Sequence, residues 1–242
     1  MINNINIWGI KLSINSLSEI IEAFDTFLKK GGKGFQMSPA DANVIYLALE
    51  NEELRESLLA SDIVSVDSFL PSLALKLKGI KNVHKVPGPD IMDAILEYSN
   101  SNKKSVYFLG AKQSTLDRLI PLISKDYPTL RIAGFHNGYF SDEQQPQIAE
   151  NIAKVSPDFL LIALPTPKKE RFIKKYKNSI NAGVLFGVGG AFDAKAGVLK
   201  RPPKCLRSFG MEGAMRILRN PKIYGGRLLV CIKFFFYASS HG

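Results

Sequence analysis

Residues 159–190 read FLLIALPTPKKERFIKKYKNSINAGVLFGVGG. An apolar run, Phe159–Leu164, gives way to a proline-led amphipathic segment, Pro167–Asn178. A second apolar run, Val184–Val188, follows and closes on Gly187, Gly189 and Gly190. Strand, helix with proline in its first turn, strand: this is the pattern of a βαβ unit. Short runs that are apolar throughout, rather than alternating, belong to strands buried on both faces, so the unit predicts a parallel sheet covered by helices.

The same rhythm extends towards the N-terminus. Val106–Leu109 and Leu130–Phe135 read as strands, Ser114–Tyr127 and Asp142–Val155 as helices. Further upstream, residues 2–10 predict a first strand and Gly34–Ser38 another, ending in a turn at Ser38–Asp41. Ile63–Val66 is a four-residue strand running into Asp67. Helices are predicted from Ser16 or Ser18 to Lys30, after the cap Asp41, and over Glu52–Ala60, Ser68–Lys78 and Ile91–Ser99, with a turn at Lys85–Asp90. The expected fold is a Rossmann-like α/β domain over residues 1–199, largely parallel, with helices on both faces. A basic, amphipathic helical appendage is expected over 200–242.

Charge supports that division. The chain of 242 residues carries +10. Residues 200–242 hold nine lysines and arginines against the single acid Glu212, which leaves the rest of the chain close to neutral. A neutral body with a basic end points to an anionic partner: nucleic acid, anionic lipid or a bound diphosphate. The end of that segment, Gly225–Ala238 (GGRLLVCIKFFFYA), is apolar and aromatic, too short to span a bilayer and suited to a membrane surface or a homo-oligomer contact. Two cysteines give neither a disulfide framework nor a metal-ligand spacing. Met1–Asn6 lacks the basic and long apolar regions of a signal peptide.

In a parallel sheet, ligands sit beyond the carboxyl ends of the strands. The residues there are Ser38–Asp41, Asp67-Ser68, Gly110-Ala111-Lys112, His136–Tyr139, Pro165–Lys168 and Gly187–Asp193. Asp67, a carboxylate at the tip of an apolar strand, suits a general base for a hydroxyl; it would equally suit a helix cap. His136 and Asn137, in a His-Asn-Gly turn, offer an acid, a base or a phosphate donor, or an ordinary turn. Lys168 and Lys169 open a helix at Pro167 and so oppose its dipole, which asks for solvent or an anion nearby. Gly187, Gly189, Gly190 and Asp193, followed by Lys200 and Arg201, suit a phosphorylated ligand. Neither GxGxxG nor GxxxxGK[ST] is present. No His/Cys/Asp cluster supports a metal site.

From about Met37 to Arg227 the chain resembles the WecG/TagA/CpsF family of bacterial glycosyltransferases. The residues that carry the resemblance are Val66-Asp67, Val86-x-Gly88-x-Asp90, Leu109-Gly110, Gly134–Phe140, Pro167-Lys168-x-Glu170 and Gly187-Val188-Gly189-Gly190-x-Phe192-Asp193. Gly197, Lys200-Arg201-x-Pro203, Gly210-x-Glu212, Arg216 and Pro221 extend it. The resemblance implies an inverting, metal-independent transferase with no cofactor, peripheral on the inner, cytoplasmic face of the membrane. Such an enzyme moves a sugar of N-acetylmannosamine type or a related hexose from a UDP-sugar donor to a polyprenyl-diphosphate-linked acceptor, undecaprenyl in bacteria. The product serves teichoic acid, common antigen or exopolysaccharide synthesis.

By the same resemblance Asp67 is the general base, the glycine stretch and the PKxE loop surround the nucleotide, and the C-terminal segment reaches the membrane and neutralises the leaving UDP. Without a metal, arginines must take that last role, here Arg201 and Arg216, supported by Arg219, Lys222 and Arg227. Ser38, Asp41, Lys85 and Gly110 complete the expected substrate-binding set. The chain departs from the family pattern at Ser68 (usually Gly), Ala40 (usually Asn in a Thr-x-Asn turn), Lys85 (usually Arg), Pro165 (usually Gly), Lys169 (usually Gln), Gly213 (usually Trp), Ile223 and Gly226. Two alternatives stay open on the residues: a nucleotide-sugar-binding protein without catalysis, and a nucleic-acid-binding module using the basic end, although no nucleic-acid partner is expected from the resemblance.

Overall fold

The computed structural model describes residues 2–199 and 221–240. Eight strands form a single sheet: β1 (Asn4–Ile7), β2 (Ile10–Ser13), β3 (Phe35–Ala40), β4 (Ile63–Val66), β5 (Ser105–Gly110), β6 (Arg131–His136), β7 (Phe159–Ala163) and β8 (Val184–Gly187). Their spatial order is β1-β2-β4-β3-β8-β7-β5-β6. Every pairing is parallel except the edge hairpin β1–β2.

The period of two along each strand sorts side chains to opposite faces. Val106 and Phe108 of β5, Phe159 and Leu161 of β7, and Val184 and Phe186 of β8 join one core. Tyr107, Leu109, Leu160, Ile162 and Leu185, one residue out of step, join another. The first core is covered by α1 (Leu17–Lys29), α5 (Gly88–Ser101), α6 (Gln113–Asp126) and the short α9 (Ala191–Lys195). The opposite face is covered by α7 (Gln145–Val155) and α8 (Lys168–Tyr176), and further along by α2 (Ala42–Glu50) and α3 (Glu52–Leu59). A Rossmann-like, largely parallel α/β fold with helices on both faces is what the βαβ pattern predicted.

The differences are local. The predicted strand over residues 2–10 is a hairpin. Trp8 and Gly9 both have positive φ (52° and 70°), which is the geometry of a tight two-residue turn between Ile7 and Ile10. The predicted turn at Ser38–Asp41 is mostly strand: β3 continues through Pro39 to Ala40, paired with β4 as far as Val66. The predicted turn at Lys85–Asp90 ends early, because Gly88 already opens α5 with proline in its first turn.

The C-terminal helix α10 (Pro221–Ser240) packs on α2 and on α4 (Phe69–Leu77). Phe234 is fully buried and Ala238 nearly so, in the same core as Trp8, Ile45 and Leu75. Trp8 meets Phe234 edge-on with ring centroids 5.1 Å apart. The opposite side of this helix exposes Leu228, Leu229, Ile232, Phe235 and Phe236, a stripe at helical spacing. One face of α10 is therefore core and the other is apolar surface.

Candidate active site

Sheet order puts the tips of β4, β3 and β8 side by side, so Asp67 and Asp41, just past two of them, lie beside Gly187, the last residue of the third. At the usual strand spacing the β4 and β8 tips are about 10 Å apart.

Backbone hydrogen bonds position Asp67. Its N–H donates to the Ala40 carbonyl (3.1 Å), and the Val86 N–H donates to the Val66 carbonyl (2.8 Å). The loop before α5 is thereby drawn across the end of β4. The Gly88 N–H then donates to Asp67 Oδ1 at 2.8 Å. Asp67 is not the cap of the helix that follows it; Ser68 is the N-cap of α4, and its side chain makes no cap hydrogen bond. Instead it accepts from the first turn of α5, where the helix dipole favours a carboxylate. Lys85, half-buried, lies one residue before the Val86 anchor and so beside the same strand end. Asp41 caps α2, accepting from the Val44 N–H at 2.8 Å. Ser38 lies inside β3, its hydroxyl paired with that of Ser61 at 2.9 Å, on the approach to β4 rather than beyond the tips.

A second cluster joins the ends of β5, β6 and β7. Gly110, at φ 120°, leaves no room for a Cβ against the Ala163 carbonyl. The Gly138 N–H donates to the Ala111 carbonyl (2.8 Å), and the Ala111 N–H to that of Ala163 (2.9 Å). His136 Nδ1 lies 2.7 Å from the Asn137 carbonyl, and its ring meets Phe140 edge-on. Asn137 accepts from the Tyr139 N–H through Oδ1 (2.9 Å) and donates to Gln113 Oε1 (3.3 Å). Lys168 is a tie within the protein. Its ammonium donates to the carbonyls of Gly138 (3.2 Å) and Phe140 (2.7 Å) and sits 3.9 Å from the centre of the Phe140 ring.

The third cluster surrounds the end of β8. Lys169 lies over Gly187, where a Cβ would meet its Cδ at 2.7 Å. Lys169 Nζ pairs with Glu170 Oε1 at 3.0 Å, and the Thr166 hydroxyl donates to the same oxygen at 3.1 Å. Glu170 is 4% exposed, and its other oxygen has no hydrogen-bond partner among the described residues. The sequence carried Glu170 only as the last residue of the PKxE motif, without a role of its own; an acid directly after two lysines at a helix start is the signal that could have given it one. Pro167 follows a cis peptide bond and precedes α8. Asp193, beyond Gly189 and Gly190, accepts from the Thr115 hydroxyl at 2.8 Å, and its carbonyl accepts from the Val198 and Leu199 N–H groups. It braces the turn after β8 against α6. Lys200, Arg201, Arg216 and Arg219 lie outside the described residues, as do the side chains of Lys222 and Arg227.

Among the described residues no three His, Cys, Asp or Glu side chains gather as a metal site would require. What the strand tips do present is a fixed carboxylate, exposed glycine backbone and an ammonium–carboxylate pair in one row. Residues 5–241 match the Glycosyl transferase WecG/TagA/CpsF family.

The chain belongs to that family.

This WecG/TagA/CpsF-family chain is similar to curated proteins named N-acetylglucosaminyldiphosphoundecaprenol N-acetyl-beta-D-mannosaminyltransferase. It is 29% identical to the one from Bacillus spizizenii strain W23 over 207 residues, covering 86% of this chain and 80% of that protein. For the Bacillus subtilis strain 168 protein the figures are 28% over 188 residues, 78% and 73%. For that of Staphylococcus aureus strain MW2 they are 26% over 223 residues, 91% and 87%. The family member described here is thus a glycosyltransferase.

Proposed function

We propose that this glycosyltransferase moves a sugar of N-acetylmannosamine type from a UDP-sugar to the sugar of an undecaprenyl-diphosphate-linked acceptor, inverting the configuration at C1. The observation that carries this reading is Asp67, held at the end of β4 with one oxygen fixed by the Gly88 N–H. In the proposed step Asp67 takes the proton of the acceptor hydroxyl, the hydroxyl oxygen bonds to C1 of the donor, and the bond from C1 to the diphosphate oxygen breaks. UDP leaves with the electron pair, and Arg201 and Arg216 neutralise it. The names of the relatives support the acceptor and the sugar; the diphosphate donor follows from the cationic segment after Gly190.

The reading requires no metal: EDTA should leave turnover unchanged, and a loss restored by a divalent cation would refute this part. We assign the exposed stripe of α10 to the inner surface of the cytoplasmic membrane, where the lipid-linked acceptor resides. No helix among the described residues is long and apolar enough to cross it. An apolar stripe gives no support to nucleic-acid binding, which needs cations or stacking rings in a groove.

Asp67→Asn tests the base. Asparagine keeps an oxygen for the Gly88 N–H, so folding and UDP binding should persist, while transfer falls roughly 10²–10⁴-fold. Undiminished transfer in this variant would remove Asp67 from the chemistry. UDP-sugar binding by the parent protein without any transfer to a lipid-diphosphate sugar would leave a binding protein.

A further inference from the structure

The helix that starts beside the catalytic carboxylate ends in a basic turn. α4 follows Asp67-Ser68 directly, and between Asp67 and Asp90 the chain has no acidic residue, while Lys76, Lys78, Lys81 and Lys85 all fall there. Among the described residues Lys29, Lys104, Lys154, Lys174, Lys177 and Lys195 each face a carboxylate within 4 Å, whereas others such as Lys11, Lys30, Lys103 and Lys125 do not, so it is the absence of any acid over residues 68–89 that sets this stretch apart. Lys76, Lys78 and Lys81 have no such partner among the described residues, and Lys76 and Lys81 are exposed. The last turn of α4, its C-cap and the turn that follows thus carry three lysines and no acid, a segment of single sign.

The same helix has an apolar outer side. Pro71, Ala74 and Leu75 face the core. At a spacing of four on the other side are Phe69, exposed, Leu73, half-buried, and Leu77, which is 71% exposed between Lys76 and Lys78. A leucine held in water between two lysines suits an interface where the methyl groups enter lipid and the ammonium groups meet phosphates. α10, with its own exposed apolar stripe, packs directly against α4.

We propose that α4 and the turn after it are a second contact with an anionic bilayer surface, electrostatic where that of α10 is apolar. This rests on the membrane reading above and adds to it an orientation. The nine-residue helix between Ser68 and Lys78 is itself about 13 Å long. With the turn on the headgroups, the base lies one short helix from the membrane, on the side where a sugar projects from a lipid diphosphate. The lysines thus set the depth at which the acceptor hydroxyl meets Asp67.

Sedimentation of the full chain with vesicles tests this. With equal parts phosphatidylcholine and phosphatidylglycerol, Lys76→Gln/Lys78→Gln/Lys81→Gln should partition on the order of a hundredfold more weakly than the parent, since each lysine near such a surface contributes several-fold. On pure phosphatidylcholine the two proteins should bind alike. Leu229→Ser/Phe236→Ser, on α10, should lose binding to both. Hydrogen exchange of the parent protein should slow over residues 69–81 when anionic vesicles are added. If the lysine variant binds anionic vesicles like the parent, or residues 69–81 exchange unchanged, the second contact is refuted while the α10 contact stands. If the parent binds neither vesicle, the membrane reading itself falls, and this inference with it.

Discussion

A methyl group at Gly110 would overlap the Ala163 carbonyl, and the φ of 120° is one that residues with a Cβ rarely adopt. Neither the β5 tip nor the β7 tip can readily yield, because the Ala111 N–H binds the Ala163 carbonyl at the end of β7 and the Gly138 N–H, after β6, binds the Ala111 carbonyl. Gly110→Ala should therefore cost about 2–4 kcal/mol from strain and overpacking together, seen as a loss of several degrees in Tm. Gly187→Ala makes the contrast. Its methyl would meet the far end of the Lys169 side chain, which can swing away. That variant should fold with a Tm within a few degrees of the parent, yet bind UDP more weakly, because Lys169 is displaced from the strand end. Equal UDP affinity would detach Lys169 from the nucleotide. Which glycines matter was legible in the sequence as a cluster; what each one abuts was not, since that depends on which strands become neighbours.

At the scale of elements, the strand β7 is fastened at its start by Asp158. Its carboxylate accepts from the N–H and the hydroxyl of Ser105, both at 2.8 Å, and its own N–H donates back to that hydroxyl at 2.9 Å. Burial alone would raise its pKa, but these bonds and the nearby Lys104 outweigh burial and hold the carboxyl below the usual aspartate value. A carboxylate whose pKa is depressed by folding stabilises the fold above its ordinary pKa, near 4, and loses that contribution as pH falls towards the folded value. Asp158→Asn should then be about 1–2 kcal/mol less stable than the parent at neutral pH, with the gap closing below about pH 4. Thermal melts of both proteins across that range check it; a gap independent of pH would exclude the charge.

The elements themselves were largely readable because apolar runs and amphipathic segments alternate so regularly after Val106. The first hundred residues carry weaker signals. Trp8-Gly9 lacks the usual Asn-Gly signature of a tight hairpin, and Pro39 reads as a turn, although its missing N–H is harmless where β3 nears its end. Of the candidate site, the tips themselves were visible. That Lys168 and Asp193 spend their polar groups on Phe140 and Thr115 was not, because these partners are 28 and 78 residues away in sequence.

For the whole molecule, the C-terminal helix is both part of the core and part of the surface. Deleting residues 221–242 would uncover Trp8, Ile45 and Leu75, so the truncated protein should lose stability as well as activity. Only changes on the outer stripe, such as Leu229→Ser/Phe236→Ser, separate the two. They should leave the Tm within a few degrees of the parent and reduce turnover on lipid-linked acceptor far more than on a water-soluble analogue carrying a short lipid. Equal losses on both acceptors would argue against a role for that stripe at the membrane.

The contact of Trp8 with Phe234 has an optical side. The chain contains one tryptophan, and its indole lies edge-on against the helix that carries the outer stripe. Intrinsic emission is therefore a label-free gauge of whether α10 is seated. A shift to longer wavelength during a denaturant or vesicle titration would report the helix leaving its berth before the sheet gives way.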